Sequence, residues 1–348
     1  KKMAGFGHIS SMRCLFCCYI STCCVPTEEH SECVEARRDI TKLLQVSQGK
    51  PAGFRRSTGK LLFLESFLQN TIAKKVSFSG KGMHSGRNAV VHLKPAGAGS
   101  GIRFHRLDGK AQDNWIPALW DRVVRYPACT CIANGHGTSV RTVEHLMAAC
   151  YATGIDNLDV EIEGEEIPIL DGSAAPIVDL IDSVGLENLG VKRRVLEILK
   201  PVHYQDQHRR FSFEPYDGFA VDINIYPGEY GHMPWKGDMS PELFKQEIVG
   251  AKAWGRLKDI WLPKIAGNFL KNPVLRGAGL HTAVVYAFGR PINPSGLKHA
   301  NDMVRHKVLD IIGDLQLVGG DIRGKIICHS SAHVTNHSGM AALFNTEG

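Results

Sequence analysis

His306, Asp310 and Asp314 recur at every fourth position of the run Val304-Arg305-His306-Lys307-Val308-Leu309-Asp310-Ile311-Ile312-Gly313-Asp314-Leu315. On a helix that spacing stacks side chains about 5–6 Å apart, so His306 and Asp310 can reach one metal ion. An imidazole and a carboxylate suit zinc, and a third ligand beside an open position would make the site hydrolytic. The competing reading is a solvated polar face with an incidental His/Asp pair. A second imidazole stands next to a carboxylate in Arg141-Thr142-Val143-Glu144-His145-Leu146. Adjacent helical residues diverge by about 100°, which keeps the two from sharing a metal. The division this suggests is His145 as ligand and Glu144 as general base toward the attacking water. An ordinary acidic first turn with a surface histidine is the alternative. A third cluster, Cys328 to His337, holds His329, His333 and His337, and spacing does not choose among them.

Elements must position these groups. Val304, Val308, Ile311 and Leu315 follow the period of one buried helical face. A helix carrying Glu144 and His145 is expected to start between Thr138 and Thr142 and to stop at Gly154. Ala89–Leu93 and Ile102–His105 read as strands separated by the glycine-rich loop Lys94–Gly101. Leu158, Val160 and Ile162 alternate as a half-buried strand, and Ala175–Val184 reads as a helix ended by Gly185. Val191-Lys192-Arg193-Arg194 marks the expected domain boundary. Beyond it the plan repeats. Phe219, Val221, Ile223 and Ile225 alternate, Pro241–Ala253 reads helical, and a strand around Thr282–Ala287 precedes the helix with His306. Two similar α+β domains are expected, 67–192 and 193–348. Each is a β-sheet layered with helices, and the helices pack inward between the two sheets.

Together these residues resemble the zinc-dependent UDP-3-O-acyl-N-acetylglucosamine deacetylases of lipid A synthesis, from about Leu68 to the C-terminus. The marks stand in family order. They are Gly80-Lys81-Gly82-Met83-His84-Ser85-Gly86, Cys129-Thr130-Cys131, Thr142-Val143-Glu144-His145-Leu146, Gly154-Ile155-Asp156-Asn157 and Glu166-Ile167-Pro168-Ile169-Leu170-Asp171-Gly172-Ser173. Val304–Lys307 running to Asp314 and Ser331-Ala332-His333 close the series. The resemblance implies zinc ligands at His145, His306 and Asp310, a general base at Glu144 and a second catalytic group at His333, supported by Asp314. It implies substrate contacts at Lys307, Trp254 and Arg209, with His84 close to the metal site. The implied substrate is an acylated UDP-N-acetylglucosamine, the cofactor Zn2+ and the compartment cytoplasmic. Where the family reads Ala-Arg-Thr-Phe, this chain has Ala251-Lys252-Ala253-Trp254. The missing threonine hydroxyl removes an oxyanion donor, worth roughly a hundredfold in rate. The stretch from Trp261 to Arg276 is longer than usual and falls in the family's insert around the acyl chain. A divergent zinc amidohydrolase and a non-catalytic basic binding protein are the rival functions.

Composition bounds the rest. The chain has 348 residues, 43% hydrophobic and 22% charged, with net charge +6, the profile of a globular protein that suits an anionic nucleotide. No basic-aromatic stripe points to nucleic acid, and no apolar run approaches the roughly 20 residues of a membrane span. A monomer is expected. Six of the ten cysteines crowd the start, Cys14 to Cys33. Residues 1–66 are expected to be a poorly ordered extension, and the implied cytoplasmic substrate argues against export of the apolar run Cys14–Val25.

Overall fold

The structure, a computed structural model, describes residues 68–206, 208–266, 274–294 and 296–345. The cysteine-rich extension and the middle of the Trp261–Arg276 stretch lie outside the described residues. Elements of the first half are β1 (Leu68–Ile72), β2 (Val76–Lys81), β3 (Asn88–Pro95), β4 (Ile102–Arg106), β5 (Trp115–Pro117), β6 (Val123–Val124), β7 (Cys131–Ala133), β8 (Ser139–Arg141), α1 (Glu144–Thr153), β9 (Leu158–Glu163), α2 (Ala175–Val184) and β10 (Leu186–Lys192). The second half follows with β11 (Val195–Glu197), β12 (Val202–Gln205), β13 (Arg210–Glu214), β14 (Phe219–Ile225), β15 (Met233–Asp238), α3 (Pro241–Glu247), β16 (Trp254–Arg256), α4 (Leu257–Ala266), β17 (Val284–Ala287), β18 (Arg290–Pro291), α5 (Asp302–Leu315), β19 (Asp321–His329) and α6 (His333–Asn345).

The fold is α+β, two sheet-and-helix halves. The first sheet has the order β2-β3-β9-β4-β5 and the second β12-β13-β19-β14-β15, with β11 joined to β19. Along the two five-strand orders the pairing directions match strand for strand, with the β9–β4 and β19–β14 pairs parallel and the others antiparallel; β11 adds a second parallel pair on β19. Alternation explains the strands. Ala89, Val91 and Leu93 of β3 and Leu158, Val160 and Ile162 of β9 point into the core while their neighbours do not, the period-two pattern of a sheet packed on one face. Helices α1 and α5 pack on each other at the centre; α1 also meets α2 and α3, and α5 meets α6, β14 and β15. One apolar core runs through both halves, joining Leu146 and Met147 of α1 to Val308, Ile311 and Ile312 of α5.

Three expectations change. Helix α1 begins at Glu144, later than the composition suggests, because Ser139–Arg141 is a strand and Thr142 sits in the left-handed region at φ 58°. That turn reverses the chain into the helix, and Gly154 ends it in the left-handed conformation at φ 72°. The run Pro241–Ala253 is helical only to Glu247. Its remainder leaves the helix to bond elsewhere, Val249 O accepting from Ala174 N and Ala253 N donating to Gly172 O. Finally, α5 has no solvated face: twelve of its fourteen residues are buried, His306, Asp310 and Asp314 among them. The polar side of that helix must therefore be satisfied internally.

Candidate metal centre

His145 stands in the first turn of α1, and His306 and Asp310 lie one turn apart on α5. One ligand atom from each falls within 4.8 Å of the other two, and all three side chains are buried. The two imidazole centroids are 5.3 Å apart, and His306 Nε2 is 3.4 Å from Asp310 Oδ1. His306 Nδ1 lies 3.1 Å from the Ala251 carbonyl. A carbonyl only accepts, so Nδ1 carries the proton and Nε2 keeps a free lone pair. Burial pulls His145 down to about 4, helped by His306, and lowers His306 as well. Burial resists the charge on Asp310, but Lys307 and the surrounding imidazoles outweigh it and hold the carboxyl well below its usual range. Lys307 Nζ is 2.7 Å from Asp310 Oδ2. Two neutral imidazoles and one ionised carboxylate are the protonation states a metal requires of its ligands. This donor set suits zinc.

Glu144 and His333 face each other beside that set, with Oε1 3.8 Å from Nε2. Glu144 Oε2 accepts the backbone N–H of Thr130 at 3.1 Å. Burial, with Asp314 and Asp310 nearby, pushes Glu144 up to about 8. For His333, burial favours the neutral ring, but the carboxylates of Asp314, Asp310 and Glu144 prevail and lift it to about 9. His333 Nδ1 lies 2.9 Å from Asp314 Oδ2, and its Nε2 3.9 Å from Asp310 Oδ2. Asp314 is fully buried and still ionised well below its usual range, because His333 and His337 overcome the cost of burial.

Local backbone shape brings these groups in. Three non-glycine residues in the left-handed region flank the site: Ala128 before Thr130, Thr142 before Glu144 and Ser330 before His333. Each such conformation costs on the order of 1 kcal/mol or more, so packing must hold them. Gly313 lets α5 approach α1, since a Cβ there would run into the Glu144 carbonyl oxygen. Glu166 fastens the glycine turn, accepting the backbone N–H of His84 at 2.8 Å, that of Ser85 at 2.7 Å and the Thr142 hydroxyl at 3.0 Å. The His84 ring is buried, and burial lowers it to about 4 against the pull of Glu166; it lies close enough to His333 to feel that ring's charge.

The sequence-predicted residues His145, His306, Asp310, Asp314, Glu144, His333 and Lys307 thus come together. Trp254 and Arg209 do not belong to the buried polar cluster. Trp254 Nε1 donates to the Met303 carbonyl at 3.1 Å, and Arg209, in the turn between β12 and β13, pairs with Asp206 at 3.7 Å. Sequence reasoning missed Asn336 and the Ala251 carbonyl, and it gave Thr130 and His337 no role. The available signals were Thr130 inside the Cys129–Cys131 mark and His337 one helical turn beyond His333.

The family model described as UDP-3-O-acyl N-acetylglycosamine deacetylase matches residues 69–345. The chain belongs to this family. Curated relatives carry the name UDP-3-O-acyl-N-acetylglucosamine deacetylase. The one from Pseudoalteromonas atlantica is 35% identical over 285 residues, 80% of this chain and 91% of its own. The Anaeromyxobacter dehalogenans relative is 36% identical over 79% of this chain and 87% of its own, and that of Citrifermentans bemidjiense 37% over 79% and 88%. Members of a deacetylase family are hydrolases acting on an amide, and the buried His/Asp set is this member's candidate metal site. Among the described residues no helix is long and apolar enough to cross a membrane.

Proposed function

We propose that this chain is a zinc-dependent deacetylase that hydrolyses the N-acetyl group of UDP-3-O-acyl-N-acetylglucosamine, an early committed step of lipid A synthesis. The observation that carries the reading is the meeting of Glu144 and His333 at 3.8 Å beside three buried ligand atoms within 4.8 Å of one another. His145, His306 and Asp310 would hold the metal, which when bound acidifies water and polarises a carbonyl oxygen. Glu144, made basic by burial, takes the proton of the attacking water. His333, kept protonated by Asp314, directs Nε2–H at the oxygen on which negative charge develops, usually the largest catalytic contribution. As the C–N bond breaks, a proton from Glu144 or His333 passes to the amine. Acetate and the free amino sugar nucleotide leave.

Lys307 steadies Asp310 and offers a positive group to substrate, with Trp254, His84 and Arg209 as further contacts. A net charge of +6 suits a nucleotide diphosphate. The same proposal takes the protein as a cytoplasmic monomer without nucleic-acid partners, divided at 192/193. A second reading, a zinc amidohydrolase with another acetamido substrate, is favoured by Ala253 and Trp254 in place of the family's threonine and phenylalanine.

The test measures bound metal and acetate release by the purified chain. One zinc per chain, with turnover of the acylated UDP-sugar lost on chelation, is the expected result. Turnover of simpler acetamido sugars in preference to it would establish the second reading. A chain that binds no metal and releases no acetate overturns both.

A further inference from the structure

The sequence left three histidines near the C-terminus, and the mechanism above uses one. His337 lies one turn beyond His333 on α6, and its Nε2 is 3.0 Å from the Thr130 hydroxyl. That same hydroxyl is 2.5 Å from Asp314 Oδ1 and 3.1 Å from His333 Nδ1. Thr130 is fully buried, so its hydrogen bonds are made within this cluster. We propose that His337 is a positioning residue for His333, acting through Thr130 and Asp314. The inference rests on the catalytic role proposed for His333.

Counting protons fixes the direction of every bond. Asp314 is ionised and only accepts. Asn336 Nδ2–H donates to its Oδ2 at 2.8 Å, and His333 Nδ1–H donates to the same oxygen at 2.9 Å. Thr130 owns a single hydroxyl proton, and the 2.5 Å approach of two oxygens requires it to lie between them. The Thr130 oxygen can then only accept from the rings: the His333 Nδ1–H reaches it as the longer arm of a bond shared with Asp314, and His337 must present Nε2–H to it. Each donor of the cluster is thereby committed, and His333 Nδ1 keeps its proton. The outward nitrogen, Nε2, is aimed at Glu144 and Asp310. Removing His337 deprives the Thr130 oxygen of a donor, and that hydroxyl can then rotate away from Asp314. The carboxylate, and the ring it holds, lose their fixed orientation.

Asp314, His333 and His337 also bring ligand atoms within 4.8 Å of one another. The Thr130 oxygen sits within hydrogen-bond distance of all three, in the position a second metal would need. The cluster is therefore read as a hydrogen-bonded hub. The charged groups facing His337 are Asp314 from α5, at 3.5 Å, and His333 on its own helix.

The experiment uses the full chain loaded with zinc, labelled for imidazole nitrogen resonance. The wild-type protein is expected to show a slowly exchanging, far-downfield His333 Nδ1–H proton. His337→Ala should broaden or abolish that signal and lower kcat about tenfold, the worth of one hydrogen bond in the buried site, with KM little changed. His337→Gln supplies an N–H donor and should restore both readouts. Thr130→Val should cost a similar factor, and the double variant no more than either alone. An unaltered signal and kcat in His337→Ala overturn the proposal, as do multiplying effects in the double variant. Failure of Gln to rescue overturns it in favour of a merely packed side chain. A second zinc equivalent bound by the wild type and lost in His337→Ala overturns the hub in favour of a metal. If the wild type turns over no acylated UDP-sugar, the function proposed above fails, and the proton signal still decides the hub.

Discussion

In the first half, β2–β5 lead into a small three-stranded sheet (β6, β7, β8), then α1, the central strand β9 and α2. In the second half, β12–β15 lead through α3 into a small three-stranded sheet (β16, β17, β18), with α4 between β16 and β17, and then into α5, the central strand β19 and α6. The extra sheets occupy the same place in the two plans, and each abuts the polar cluster. Thr130 immediately precedes β7, and the Ala251 carbonyl lies just before β16. The contributions differ. The first half offers Glu144 and His145 from a single turn; the second offers His306, Asp310 and Asp314 along a whole helix and His333 from the next. A repeated scaffold therefore does not repeat its chemistry. Glu144 and His145 meet His306 and Asp310 because α1 and α5 lie in direct contact, with Gly313 allowing the approach.

The comparison is broken most sharply by Glu144→Ala. If the first half supplies the proton acceptor and the second most of the metal site, turnover should fall by about 10²–10⁴-fold with bound zinc retained. Undiminished acetate release would take Glu144 out of the mechanism. His306→Ala should instead empty the site of metal, measured by elemental analysis, along with the activity.

A pH effect of the next size is expected in the first half. His84 is held at about 4 when folded and has an ordinary value near 6.5 when unfolded. The unfolded chain thus binds the extra proton between those values. Stability from this group is complete above pH 6.5 and is lost as pH falls toward 4. Urea unfolding of metal-free protein across that window should show the decline, to which His145 and His306 add with the same sign, and His84→Asn should lessen its slope. An equal slope in the variant would assign the effect to other groups.

Gly313→Ala tests the contact between the halves. Its methyl group must displace the Glu144 carbonyl, with an expected cost of about 1–3 kcal/mol in stability and a lower kcat. A variant as stable and active as the parent would mean that α1 and α5 are less tightly apposed. The smallest effect is expected from Lys245→Ala. Lys245 of α3 pairs with Asp182 of α2 at 2.8 Å in a half-exposed bridge between the halves. Its loss should change the denaturation midpoint by no more than about 0.5 kcal/mol equivalent.

Much of this was legible in the chain because the relevant signals were local. The four-residue recurrence of His306, Asp310 and Asp314 is written in one helix, and Gly154 and Gly185 mark helix ends directly. Alternation located β9 and β14. What was hidden is tertiary. Nothing near Thr142 announces a left-handed turn, so composition points to an earlier start for α1 than Glu144. The helical pattern over Pro241–Ala253 was overridden where the chain leaves the helix to bond Gly172, Ala174 and His306. Thr130 and His337 are separated by 207 positions, and no spacing rule links residues so distant.

The group that aims His306 is a peptide oxygen, that of Ala251. No change of side chain can delete it. The side chains of residues 252–254 can therefore change while the ring keeps its bearing. Ala253 and Trp254 can thus depart from the family's threonine and phenylalanine without touching the bond that orients His306.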